Sequence, residues 1–154
     1  MQATRISRLR DFSVRSSILA AKGALMPGYT ITKLSDVPDA LGDYPGEMQG
    51  LTEPLGNEQV AITYRRMPRH TGGKGGYGHR HAACEEVYFV FSGKLQFKLD
   101  DEVVEVGPGT AVRVAPEVVR SIWNDERQDA HLVIISRRDD PPDEAQIVAD
   151  FWPE

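Results

Sequence analysis

The sequence predicts an all-β sandwich or barrel, and three observations carry that reading. Short β-rich runs recur about every ten residues from Val60 to Ser136. Turn residues (Gly, Pro, Asp) fall between them, and this spacing is the mark of packed antiparallel strands. Within one run, Leu95, Phe97 and Leu99 alternate with Lys94, Gln96 and Lys98, the two-residue period of a half-buried strand.

The elements follow in order. Residues 1–25 carry five basic side chains against one acid, Asp11, with several serines. That bias is shared with transit peptides, but no apolar signal core is present. An arm or extension over residues 1–28 is expected, preceding one domain at 29–154 whose barrel core spans about 59–136. Tyr29, Ile31 and Leu34 predict a short strand over 29–36. Residues 37–58, rich in Pro, Gly and Asp, predict loop with at most a turn of helix. Val60 to Tyr64 is a strand, and residues 70–78 (HTGGKGGYG) read as a glycine loop. Glu86 to Phe91 is a strand ended by Gly93, followed by the alternating 95–99 strand. Asp100-Asp101-Glu102 turns a hairpin into Val103 to Val106. Gly107-Pro108-Gly109 turns again into Ala111 to Val114. Arg120 to Trp123 and Ala130 to Ser136 complete the strands, and a short tail runs to Trp152.

The chain has 154 residues and a formal charge of -5. That size suits one domain, and that charge argues against a nucleic-acid partner, which calls for a basic field. No apolar run approaches the roughly 18 residues of a membrane span. One cysteine, Cys84, cannot close an internal disulfide, so a reducing cytoplasm is the expected compartment.

Gly73, His79, His81, Glu86 and Gly93 stand in the pattern G-x5-H-x-H-x4-E-x6-G. This resembles the first motif of the cupin family with every position filled. The resemblance implies a double-stranded β-helix (a cupin jelly-roll barrel) with short N- and C-terminal arms. It also implies a divalent metal on His79, His81 and Glu86. The residues allow it independently. Positions i and i+2 of a strand share a face, so two imidazoles can meet at one point, and Glu86 opens the next strand. Two imidazoles and a carboxylate suit Zn, Fe, Ni or Mn. No nucleotide cofactor is expected, since no helix start or lysine-serine pair follows the glycines at 72–78.

The second cupin motif aligns from Gly109 to Asn124 but departs from the family at three places. Ala115 replaces its proline, Glu117 its glycine, and Arg120 its third histidine. Arginine stays protonated and cannot ligate a metal. A guanidinium about 4 Å from a divalent ion would be repelled by roughly 8 kcal/mol at an effective dielectric of about 20. Either Arg120 swings clear of a metal, or it pairs with Glu86 in a metal-free site. In both cases its fork of donors suits a carboxylate or phosphate ligand. The runs Leu99 to Pro108 and Asp143 to Trp152 look like those of short bacterial cupins with no assigned reaction. Such relatives also tend to carry arginine at the second-motif position.

Other pocket candidates are Tyr88, by parity with Glu86; His131, opening the last strand; and Arg66, by parity with Tyr64 and Ile62. His70 is expected in solvent and Cys84 as a small buried thiol. Two functional classes remain open. One is a metal-assisted enzyme acting on a small anionic or oxygen-rich molecule. The other is a non-catalytic module gripping an anion through Arg120. A histidine base in a metal-free, isomerase-like sugar site is a weaker third. Val87, Phe89 and Phe91 must face away from the pocket, and such an apolar face predicts a homodimer.

Overall fold

A computed structural model describes residues 28–154; the basic segment expected as an arm or extension lies outside them. In chain order the strands are β1 (Glu47–Gly50), β2 (Val60–Met67), β3 (Thr71–Gly72), β4 (Gly76–Arg80), β5 (Glu86–Ser92), β6 (Leu95–Leu99), β7 (Glu102–Val106), β8 (Thr110–Val114), β9 (Arg120–Asn124), β10 (Ala130–Arg137) and β11 (Gln146–Trp152). They form two antiparallel sheets, β1-β2-β10-β5-β8 and β11-β4-β9-β6-β7, with β3 paired to β9. The fold is the jelly-roll barrel expected.

Side-chain alternation builds the interior. Tyr88 and Val90 of β5, Leu95 and Phe97 of β6, Ile122 of β9 and Leu132 of β10 meet in one buried cluster with Met67 and Val114. The Gly93 turn between β5 and β6 has φ +73°, and a Cβ there would lie 2.6 Å from Ala130 Cα. Only glycine takes that backbone at that approach without strain.

Four expectations need correction. Residues 29–36 form no strand; the segment is extended and ends in a 3-10 turn at Leu34–Asp36. Tyr29 and Ile31 are largely exposed, because no sheet edge is offered to them. β1 forms inside the Pro/Gly-rich stretch, pairing with β2 from Glu47↔Arg66 to Gly50↔Thr63, beside the expected helical turn Thr52–Leu55. The glycine segment 70–78 is not all loop, since β3 and the start of β4 lie in it. Finally, the tail after Pro142 is β11, paired with β4 and ending in a buried Trp152. At Gly78 a Cβ would strike the Phe151 ring at 2.4 Å, so this glycine lets the C-terminal strand dock.

Candidate metal centre

His79, His81 and Glu86 converge at one end of the barrel interior, with one donor atom of each within 4.8 Å of the others. β4 carries His79; His81 follows one residue past its end, where its N–H donates to Pro116 O. Glu86 opens β5. His79 Nε2 lies 3.4 Å from Glu86 Oε2, and His81 Nε2 lies 3.6 Å from Glu86 Oε1. Two ligands about 2.1 Å from a tetrahedral ion stand roughly 3.4 Å apart. The two histidine–carboxylate spacings therefore match those of neighbouring ligands on a divalent transition metal.

The ring of His81 is oriented from behind. Its Nδ1 donates to the Asp143 carbonyl at 2.9 Å. A carbonyl only accepts, so in the neutral ring the proton sits on Nδ1 and Nε2 presents its lone pair to the centre. The Asp143 carboxylate in turn accepts the N–H groups of Ala82, Ala83 and Cys84. This ties the turn between the histidines and the glutamate to the C-terminal segment. These bonds draw the Asp143 carboxyl below its ordinary range. Asp143 gave no signal in the sequence, because its contact is made across about sixty residues.

Glu86 uses its two oxygens differently. Oε2 accepts from Tyr88 Oη at 2.5 Å and from Arg120 Nε and Nη2 at 3.0 and 2.8 Å. Oε1 is left facing His81. Burial pushes the Glu86 carboxyl up, but the bonds from His79 and Tyr88 and the charge of Arg120 outweigh it and hold the group at about 2. The reverse holds at Tyr88, where burial and the Glu86 charge push the phenol far up, so it donates as a neutral hydroxyl.

Arg120 is fully buried and pairs with Glu86. Its Nη1 donates to the carbonyls of Pro116 and Val118 at 3.1 and 3.0 Å. The guanidinium thus stands where a third histidine would, as a buttress of the carboxylate, and most of its donors are spent. Asn124, at the end of the same motif, holds Met67 O and Gln128 O through Nδ2 and shapes the turn into β10.

Two of the pocket candidates lie elsewhere. Arg66 bonds Glu47 and Asp129 on the outer face of the sheet. His131 Nδ1 meets Tyr64 Oη at 2.9 Å on that face, beside Phe91. Parity was misread because Ile62 and Tyr64 are apolar yet outward. The inward set of β2 is fixed by Met67, and it brings Arg65 into the interior instead. His70 stacks on Trp123 at the surface, and Cys84 is buried with its S–H toward backbone carbonyls.

Residues 67–136 match the cupin domain family. No curated protein matches the chain. Among solved structures, a candidate sugar phosphate isomerase from Acidithiobacillus ferrooxidans is 21% identical, with a TM-score of 0.53 over 69% of this chain and 64% of its own. This chain thus spans less than two thirds of that relative. A sugar phosphate isomerase of the cupin superfamily from Silicibacter pomeroyi is 17% identical, with a TM-score of 0.59 over 70% of this chain and 74% of its own. The cupin domain of an XRE-family transcriptional regulator from Enterobacter cloacae is 18% identical, with a TM-score of 0.54 over 62% of this chain and 99% of its own. At these identities the likeness is one of fold. Over residues 67–136 the jelly-roll of this chain matches the cupin domain, and its fold is that of these solved cupin structures.

Proposed function

We propose that this domain holds a divalent transition metal (Zn, Fe, Ni or Mn) on His79, His81 and Glu86 and applies it to a small anionic or oxygen-rich molecule. The observation that carries this reading is the pairing of a bare His81 Nε2 with a free Glu86 Oε1, beside His79, at coordination spacing. A bound metal would supply Lewis acidity or oxygen activation. The chain's own residues do the rest. Arg120 and Tyr88 keep Glu86 ionised and aimed, and the Asp143 carbonyl keeps His81 in the ligating tautomer. Metal analysis of protein purified without chelator or a nickel column tests the proposal. Near-stoichiometric metal, lost in both His81→Ala and Glu86→Gln, is expected. No metal in the wild type after incubation with each of the four ions would overturn it.

A second reading is a metal-free binding module. What favours it is that Glu86 Oε2 already has three donors, so the centre is satisfied without an ion. A ligand reaching Arg120 would then compete with Glu86 for its fork. Two solved neighbours carry the name sugar phosphate isomerase, which supports an isomerase-like sugar site as a third reading. For the protein as a whole we propose a cytoplasmic homodimer with a small-molecule ligand and no nucleic-acid partner. The supports are its one cysteine, its charge of -5 and the exposed Phe89 and Phe91. Among the described residues no helix is long and apolar enough to cross a membrane.

A further inference from the structure

Among the described residues, one guanidinium in the barrel interior has no counter-charge. Arg65 of β2 stands opposite Leu132 of β10, on the inward face with Met67. Its Nε is buried and has no hydrogen-bond partner. Among the described residues no carboxylate lies within ion-pair distance of it. It lines a cavity of about 120 Å³ together with Tyr77, His79, Tyr88 and Ser121. Desolvating a cation without a partner is costly, and an anionic ligand in this cavity would offset that cost.

The size and charge of the cavity narrow the ligand. A cavity of about 150 Å³ takes a benzene-sized molecule, so this one takes about five or six non-hydrogen atoms. A planar carboxylate matches the guanidinium fork in a bidentate pair. A phosphate dianion calls for more than one cation. The other guanidinium on the cavity wall, Arg120, is already engaged by Glu86, Pro116 and Val118. The hydroxyls of Tyr77 and Ser121 supply donors for a further oxygen.

We infer that Arg65 is the anion-recognition residue of the barrel and that its ligand is a small 2-hydroxy or 2-oxo carboxylic acid. The carboxylate lies on Arg65 and the neighbouring oxygen points past His79 to the metal. The placement of that second oxygen rests on the proposed His79, His81 and Glu86 centre; the carboxylate contact does not.

Calorimetric titration of the full chain, once zinc-loaded and once stripped with EDTA, tests this with glycolate, pyruvate, neutral glycolamide and inorganic phosphate. In the loaded wild type both acids are expected to bind, with glycolamide and phosphate at least tenfold weaker. Arg65→Gln is expected to weaken both acids at least tenfold while leaving zinc affinity unchanged. Arg65→Lys keeps the charge but loses the fork, so it falls between the two and serves if the glutamine variant does not fold. Equal acid affinity in wild type and both variants, a preference for phosphate, or no acid binding by the wild type would overturn the inference. Acid binding that depends on Arg65 in a chain that takes up no zinc would instead sink the metal proposal and the role given to the second oxygen. The carboxylate contact would then stand.

Discussion

Glu86 is where the charges of the site are settled. Its carboxyl sits at about 2 in the folded protein against an ordinary 4.5. An acid whose folded value is depressed stabilises the fold fully above its unfolded value, and that contribution fades as the pH drops from about 4.5 toward 2. The difference amounts to roughly 3 kcal/mol at 1.36 kcal/mol per unit. In metal-stripped protein, urea denaturation should therefore show Glu86→Gln well below the wild type at pH 6. Removing one partner strands the buried Arg120, at a cost of about 3–5 kcal/mol. The two should converge as the wild-type carboxylate protonates. A gap of constant size across that range would show that Glu86 titrates normally. Arg120 carries a second prediction at this scale. Arg120→His removes a cation beside the metal and adds an imidazole, so zinc affinity measured by calorimetry should rise at least tenfold. The melting temperature should fall, because the contacts to Glu86, Pro116 and Val118 are lost. Unchanged or weaker zinc binding would mean that Arg120 does not oppose the ion.

At the scale of elements, the C-terminal strand is part of the site. β11 pairs with β4, the strand that carries His79, and the segment before it supplies both contacts of Asp143. Asp143→Ala keeps the carbonyl that holds His81 but unties the turn at residues 82–84 from the segment carrying that carbonyl, so zinc binding should weaken, by about tenfold if the His81 contact is lost with it. Zinc titration reads this directly, and an affinity equal to wild type would confine Asp143 to a structural role. Trp152→Ala should cost about 3–5 kcal/mol, the usual range for a buried tryptophan, measured from the urea midpoint. A loss under 1 kcal/mol would show that the strand adds little to the barrel.

At the scale of the molecule, one sheet face lacks cover among the described residues. Val87, Phe89 and Phe91 point out of the barrel, and Phe89 and Phe91 keep 37% and 46% of their surface exposed. The arms lie elsewhere in their described parts. Gln49 of β1 donates to Leu34 O and Val37 O, fixing residues 34–37 there, while β11 lies at the edge of the other sheet, paired with β4. Tyr64 stacks beside Phe91 at 6.3 Å and extends the apolar face across the sheet. A second copy would bury it about a two-fold axis. Sedimentation at micromolar concentration should give twice the 17.1 kDa chain mass, and Phe89→Glu with Phe91→Glu should return the monomer. A wild-type monomer would place another cover on this face.

The sequence by itself determined most of the barrel. Alternation and turn residues are local properties, so every strand from β5 to β10 is written in its own residues. The histidines and glutamate were legible for the same reason, since they lie within eight residues of chain and share strand faces. Only the tertiary structure could supply the rest. β1 and β11 exist because β2 and β4 offer them edges, not because Glu47–Gly50 or the 146–152 tail favours extension. Arg65 was hidden behind Ile62 and Tyr64, whose apolar side chains belong to the outer face that also carries Phe91. Asp143 reaches His81 across about sixty residues, a contact no local pattern encodes. Arg120 could be read as a replaced ligand, but whether it met a metal, a ligand or Glu86 depended on side-chain geometry. Burial decided it, because a guanidinium shut away from water takes the carboxylate within its reach.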